Sequence, residues 1–110
     1  MTDLCGQRIV SKLDSDGTLT VALEDFTLPQ PEGRQVVIQV EATPINPSDL
    51  GLLFGPSDVA GAEFSPGKIV ARMPEPAVRA MAARHGAAMP VGNEGAGTVI
   101  AAGDDPAAQA

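Results

Sequence analysis

Val91-Gly92-Asn93-Glu94-Gly95-Ala96-Gly97-Thr98-Val99-Ile100-Ala101-Ala102-Gly103 is the stretch on which the fold turns. Three glycines fall within six residues here, at Gly92, Gly95 and Gly97, with Glu94 among them. Glycine is used where a backbone must come close to something, or must take angles that side chains forbid. The run that follows, Thr98 to Ala102, is β-branched and apolar and predicts a strand central in a sheet. Glu94 would then be a carboxylate at the mouth of a buried strand, which is a natural place to look for a site. The glycines are ordered G-x-x-G-x-G, whereas a dinucleotide-binding turn reads G-x-G-x-x-G, follows a strand and opens a helix. Here they precede a strand and no helix follows, so a glycine-rich turn is the plainer reading.

Upstream, the segments Arg8 to Leu13 and Thr18 to Leu23 flank Asp14-Ser15-Asp16-Gly17, a hairpin closed by an Asp-Gly turn. The two aspartates hint at a calcium loop, but the glycine comes too early and no glutamate closes it. The clearest strand is Gln35 to Ala42, where Val36, Ile38, Val40 and Ala42 share one face and Val37, Gln39 and Glu41 the other, so one side is expected in the core. Thr43-Pro44-Ile45-Asn46-Pro47-Ser48-Asp49-Leu50 comes next. Asn46 suits a helix N-cap, Pro47 the first helical position and Asp49 the first turn. Gly51 weakens this helix and Gly55-Pro56 ends it.

Gly55 to Gly67 has the composition of a loop, and Lys68 to Met73 reads as a strand. A helix is expected from about Pro76 to His85, its apolar stripe formed by Val78, Met81, Ala82 and His85, with Gly86 as the stop. That places the single histidine in a last helical turn, where a structural or solvated role fits better than a catalytic one. Pro90 breaks the chain before the glycine-rich stretch. The tail from Asp104 to Ala110 shows no terminating element. Strands dominate with two short helices, so the fold class is mainly β with short helices (α+β), built as a small barrel or bent sheet.

A chain of 110 residues forms one domain with a modest core, burying about 60 to 65 % of its unfolded surface. Three Phe and neither Trp nor Tyr leave Val, Ile, Leu, Met and Ala to build it. Fourteen acidic against seven basic residues give a net charge of -7, which repels nucleic-acid phosphates and anionic membrane surfaces alike. Met1 to Gln7 lacks the pattern of a signal peptide, and no run approaches the ~20 apolar residues of a membrane span, so a cytoplasmic location is the expectation. Cys5 stands alone, which rules out an internal disulfide and a multi-cysteine metal site, and it reads as an inert thiol.

Val37 to Leu50 and Met89 to Gly103 together resemble the N-terminal catalytic domain of the medium-chain dehydrogenase/reductases, a domain with a GroES-like fold. The similarity is to the zinc-independent branch of quinone oxidoreductases and enoyl reductases, where Ile-Asn-Pro-Ser-Asp and Gly-Asn-Glu-Gly-like sequences recur. It covers about residues 6 to 55 and 89 to 103, and leaves Pro56 to Ala88 unaccounted for. The resemblance implies a partly open GroES-like β-barrel, truncated, and an NADP(H)-dependent oxidoreductase reducing a quinone, an enone or a related carbonyl. In the zinc branch a cysteine stands at the position of Asn46 and a histidine at that of Asn93; neither is present, so no zinc is expected. Carried over, Asn46 lies on the nicotinamide side and donates a hydrogen bond to the substrate carbonyl, Ser48 occupies the hydroxyl position, and Asp49 and Glu94 are supporting carboxylates. The proposed proton donor of the enoyl reductases is a tyrosine, which this chain lacks.

The family's Rossmann domain and the C-terminal return segment lie beyond these residues. The expectation is therefore a portion of a longer reductase, inactive alone, that would bind NADP(H) and a small-molecule substrate only with the missing domain. A stand-alone GroES-like module that docks another protein through an open sheet edge is the alternative. In either case the exposed edge predicts a homodimer.

Overall fold

The computed structural model describes residues 4–110 and shows a mainly β chain with short helices, an α+β class. Met1 to Asp3, the start of the segment read above for a leader, lie outside the described residues. Strand β1 (Leu4–Leu13) turns through Asp14-Ser15-Asp16-Gly17 into β2 (Thr18–Leu28). Gly17 takes φ 90°, which a side chain resists, and its N–H donates to the Asp14 carbonyl at 3.0 Å. The predicted hairpin is therefore present, and both its strands run further than expected.

The chain continues through β3 (Val36–Ala42), α1 (Pro47–Phe54), β4 (Asp58–Ser65), β5 (Lys68–Arg72), α2 (Glu75–Ala80), β6 (Ala88–Pro90), β7 (Ala96–Ala102) and α3 (Pro106–Gln109). One sheet has the order β4-β5-β2-β1-β6, and β3 pairs with β7 in a second sheet of two strands. Neither sheet closes into a barrel among the described residues. No helix among them is long and apolar enough to cross a membrane.

The chain divides into two compact units. One comprises the residues up to Gly6, Asp25–Pro44 and Asn93–Ala110; the other comprises Gln7–Glu24 and Ile45–Gly92. The second unit holds every buried apolar side chain among the described residues: Val10, Leu13, Leu19, Val21, Ala71, Met73 and Val78. Leu13, Leu19, Met73 and Val78 form its central cluster, with Phe54, Ala77 and Met81 packed against it. Alternation along β2 accounts for part of this, since Leu19 and Val21 point inward while Leu23 is exposed.

The first unit holds the β3–β7 ribbon and α3 together with the outer ends of β1 and β2, and it overturns two expectations about burial. Val36, Ile38 and Val40 do share a face, but they are exposed, at 42 %, 51 % and 57 %, rather than in the core. Strand β7 is likewise exposed over most of its length, so it is not central in a sheet. The apolar alternation was read correctly as a face; a face becomes core only where another layer covers it.

Three further corrections concern local structure. Gly55 to Gly67, read as a loop, contains β4. Its Pro66 and Gly67 (φ 73°) form the tight turn to β5, and an irregularity absorbs the surplus chain, with Asp58 opposite Arg72 and Glu63 opposite Val70. The helix expected to reach His85 ends at Ala80. Met81 leaves helical geometry at φ -104°, ψ 21°, a single 3₁₀ turn follows at Ala82–Arg84, and only Val78 of the predicted stripe is buried. The chain has to return to the sheet there: Gly86, at φ 77°, donates its N–H to the Leu13 carbonyl at 2.9 Å, and Ala88–Pro90 joins the sheet edge as β6. Pro90 is tolerated because β6 is an edge strand. Finally, the tail does form an element. The Asp105 carboxylate accepts the Ala107 N–H at 2.8 Å and caps α3, with Pro106 at its first position.

Candidate functional site

The segment between β3 and α1 carries the residues with the most chemistry. Thr43 precedes Pro44, and the Thr43 hydroxyl donates to the backbone carbonyl of Glu94 at 2.7 Å, tying the end of β3 to the entrance of β7 within the first unit. Spacing offered no sign of this link, because the two residues are 51 positions apart. The Glu94 side chain is exposed, not at the mouth of a buried strand.

Asn46, Ser48 and Asp49 belong to the second unit and start α1 as the sequence predicts. Asn46 is half-buried and extended at φ -101°, ψ 157°, and its carbonyl accepts the Asp49 N–H at 2.9 Å. The Asp49 carboxylate reaches back through Oδ2 to accept the Asn46 N–H at 2.7 Å. Two of the donors that a helix start leaves without intrahelical partners are thereby satisfied, and a negative charge lies at the positive end of the helix. Asp49 is 7 % exposed, and its other oxygen, Oδ1, is buried without a protein partner. Ser48 is exposed in the first turn. The structure thus brings Asn46 and Asp49 together, sets Ser48 beside them in sequence on the helix, and places Glu94 in the other unit.

Gly92 and Gly97 serve the backbone, while Gly95 has neither a positive φ nor a neighbour closer than ordinary contact. Gly92 takes φ 100°, and a Cβ on Gly97 would run into the Gln39 carbonyl group of β3. The close approach anticipated for this stretch is therefore to a neighbouring strand. At the other end of the ribbon, Gly103 sits against the backbone of Glu32 and Gly33, and the Gln109 amide donates to the Gly103 carbonyl at 2.6 Å. Glu32, Asp104 and Gln109 line a shallow depression there.

His85 fills a structural place. Its Nε2 lies 2.9 Å from the Val78 carbonyl, which can only accept, so Nε2 carries the proton. Among the described residues, no three His, Cys, Asp or Glu side chains come together as a metal site. A dinucleotide is poorly received at the start of α1. Its phosphates seek a helix N-terminus, but the start of α1 already holds the buried Asp49 carboxylate, which would repel them. Comparison with models of known protein families and with curated proteins finds no match.

Proposed function

We propose that this chain is the substrate-side portion of a zinc-independent, NAD(P)H-dependent oxidoreductase that reduces a quinone, an enone or a related carbonyl, within a GroES-like domain. The observation that carries this reading is the start of α1, where the Asp49 carboxylate accepts the Asn46 backbone N–H at 2.7 Å and fixes the backbone from which the Asn46 carboxamide extends. A carboxamide on a backbone fixed in this way is suited to donate a hydrogen bond to a carbonyl oxygen as negative charge grows on it. Ser48, exposed in the first turn of α1, passes a proton between solvent and substrate on this reading. Asp49 positions Asn46, and Glu94 acts through its backbone contact with Thr43. On this reading cofactor binding falls to other parts of a longer protein, and the 110 residues alone are expected to be inactive.

The test is NADPH and NADH consumption by the product of the whole reading frame against a panel of quinones and enones. Turnover is expected, and Asn46→Ala should lower kcat by about 100-fold, the usual effect of removing one oxyanion donor. A reading frame that stops at Ala110, or a full product that oxidises neither cofactor with any of the panel, would sink this reading.

A second reading is favoured by a different observation, the apolar face exposed on the β3–β7 ribbon. On that reading the chain is a GroES-like interaction module without activity, docking another protein, or a second copy of itself, through this sheet.

A further inference from the structure

Charge is divided unevenly between the two units. Among the described residues the first unit carries six acidic side chains, Asp25, Glu32, Glu41, Glu94, Asp104 and Asp105, against Arg34 alone, a net charge of -5. The second unit carries seven acidic and six basic side chains, a net charge of -1. Most of the protein's negative charge therefore lies on the unit that contributes no buried apolar side chain.

The two faces of the ribbon differ in chemistry. Across the strands Val36 stands opposite Ala102, Ile38 opposite Val99 and Val40 opposite Gly97, an apolar face whose pairing register shifts between Val37 and Ile38 and again after Val40. Val99 is 52 % exposed, much like its neighbours on β3, and Gly97 has no side chain to cover Val40. Gln39 stands opposite Thr98 on the other face, where the Thr98 hydroxyl donates to the Glu41 carboxylate at 3.1 Å. Acidic groups bracket the apolar face lengthwise. Glu32, Asp104 and Asp105, which outnumber the one cation there, Arg34, lie where β3 begins and β7 ends, and Glu94 lies where β7 begins. Seven strand residues separate these ends by about 23 Å at about 3.3 Å per residue.

We infer that the apolar face of the β3–β7 ribbon docks an amphipathic segment of another protein whose apolar stripe is flanked at both ends by Lys or Arg. The inference rests on the interaction-module reading and deepens it by naming the partner's chemistry. Charge decides among the occupants. A second copy would bring another unit of net charge -5 to the same place, and an anionic membrane would be repelled by the same acidic ends. A basic-flanked segment meets both the apolar face and its acidic ends.

The probe is a synthetic 18-residue amphipathic peptide with a leucine stripe and two lysines at each end, compared with the same peptide carrying glutamates in place of the lysines. Binding to the 110-residue chain is read by fluorescence anisotropy at low and at physiological salt. The lysine peptide is expected to bind at least about ten-fold more tightly than the glutamate peptide and to weaken as salt rises. Ile38→Ser and Val40→Ser should each weaken it by several-fold; both side chains are exposed, so circular dichroism should show the fold intact. Equal binding of the two peptides, or binding unchanged in both serine variants, overturns the inference. Sedimentation provides a separate arm. A dimer dispersed by Ile38→Ser gives the face to a second copy, which overturns the basic partner but leaves the interaction-module reading standing. A monomer that binds neither peptide overturns both.

Discussion

Asp16 and Asp49 show how differently one residue type can be used. Asp49 is buried and acts on a helix start, whereas Asp16 is fully exposed and acts on a turn. The Thr18 N–H donates to the Asp16 carboxylate at 2.9 Å. That bond above all, then the Thr18 hydroxyl, and then the charge of Arg72, hold the Asp16 carboxyl below its ordinary value. A carboxyl whose pKa is lowered on folding adds stability above its unfolded pKa, about 3.9, and loses it as pH falls through the lower folded value. Asp16→Asn should therefore cost a constant amount of stability above about pH 5, and the gap to the unmodified chain should close below about pH 4. Urea denaturation at a series of pH values checks this; a gap that stays constant down to about pH 2 would contradict it. The turn itself was legible because its chemistry is local, with Gly17 and Asp16 within two residues of the bond they make possible. Asn46, Pro47 and Asp49 were legible for the same reason. Thr43 was not, because its partner is brought near only by the pairing of β3 with β7.

Elements divide by whether another layer covers them. Alternation along β2 and along β3 looks alike in the sequence, yet Leu19 is 1 % exposed and Ile38 is 51 % exposed. Periodicity reports that a face is apolar; it carries no information about what lies on that face. The same limit explains β4, which lies in a stretch, Gly55 to Gly67, whose Gly and Pro suggest a loop: a partner strand, β5, holds an irregular segment extended that local propensity would leave unstructured. Two truncations separate covered from uncovered elements. Leu13→Ala, in the cluster with Leu19, Met73 and Val78, should cost about 2 to 5 kcal/mol, whereas Ile38→Ala should change stability by less than about 0.5 kcal/mol. Denaturant midpoints for the two variants test the contrast, and a comparable loss for both would mean that β3 is covered in solution.

For the molecule as a whole, stability should be as unevenly distributed as burial. Strands β2 and β5 carry the buried residues Leu19, Val21 and Ala71, and their amides should exchange with solvent only when the whole structure opens. Amides of the two-stranded β3–β7 ribbon should exchange at least about 100-fold faster through local opening, since an isolated pair of strands is marginal in water. Hydrogen exchange read strand by strand would show this, and uniform protection would refute it. A last consequence follows from the way each ribbon strand pairs only with the other among the described residues. Val36-Val37-Ile38-Gln39-Val40 contains no charge, proline or glycine, and both ribbon strands keep an outer row of backbone groups free for pairing. When such a ribbon opens ahead of the rest, opened copies can stack on one another into fibres. Arg34 and Glu41 flank this run as charged gatekeepers, so neutralising both should shorten the time for which a concentrated solution stays clear.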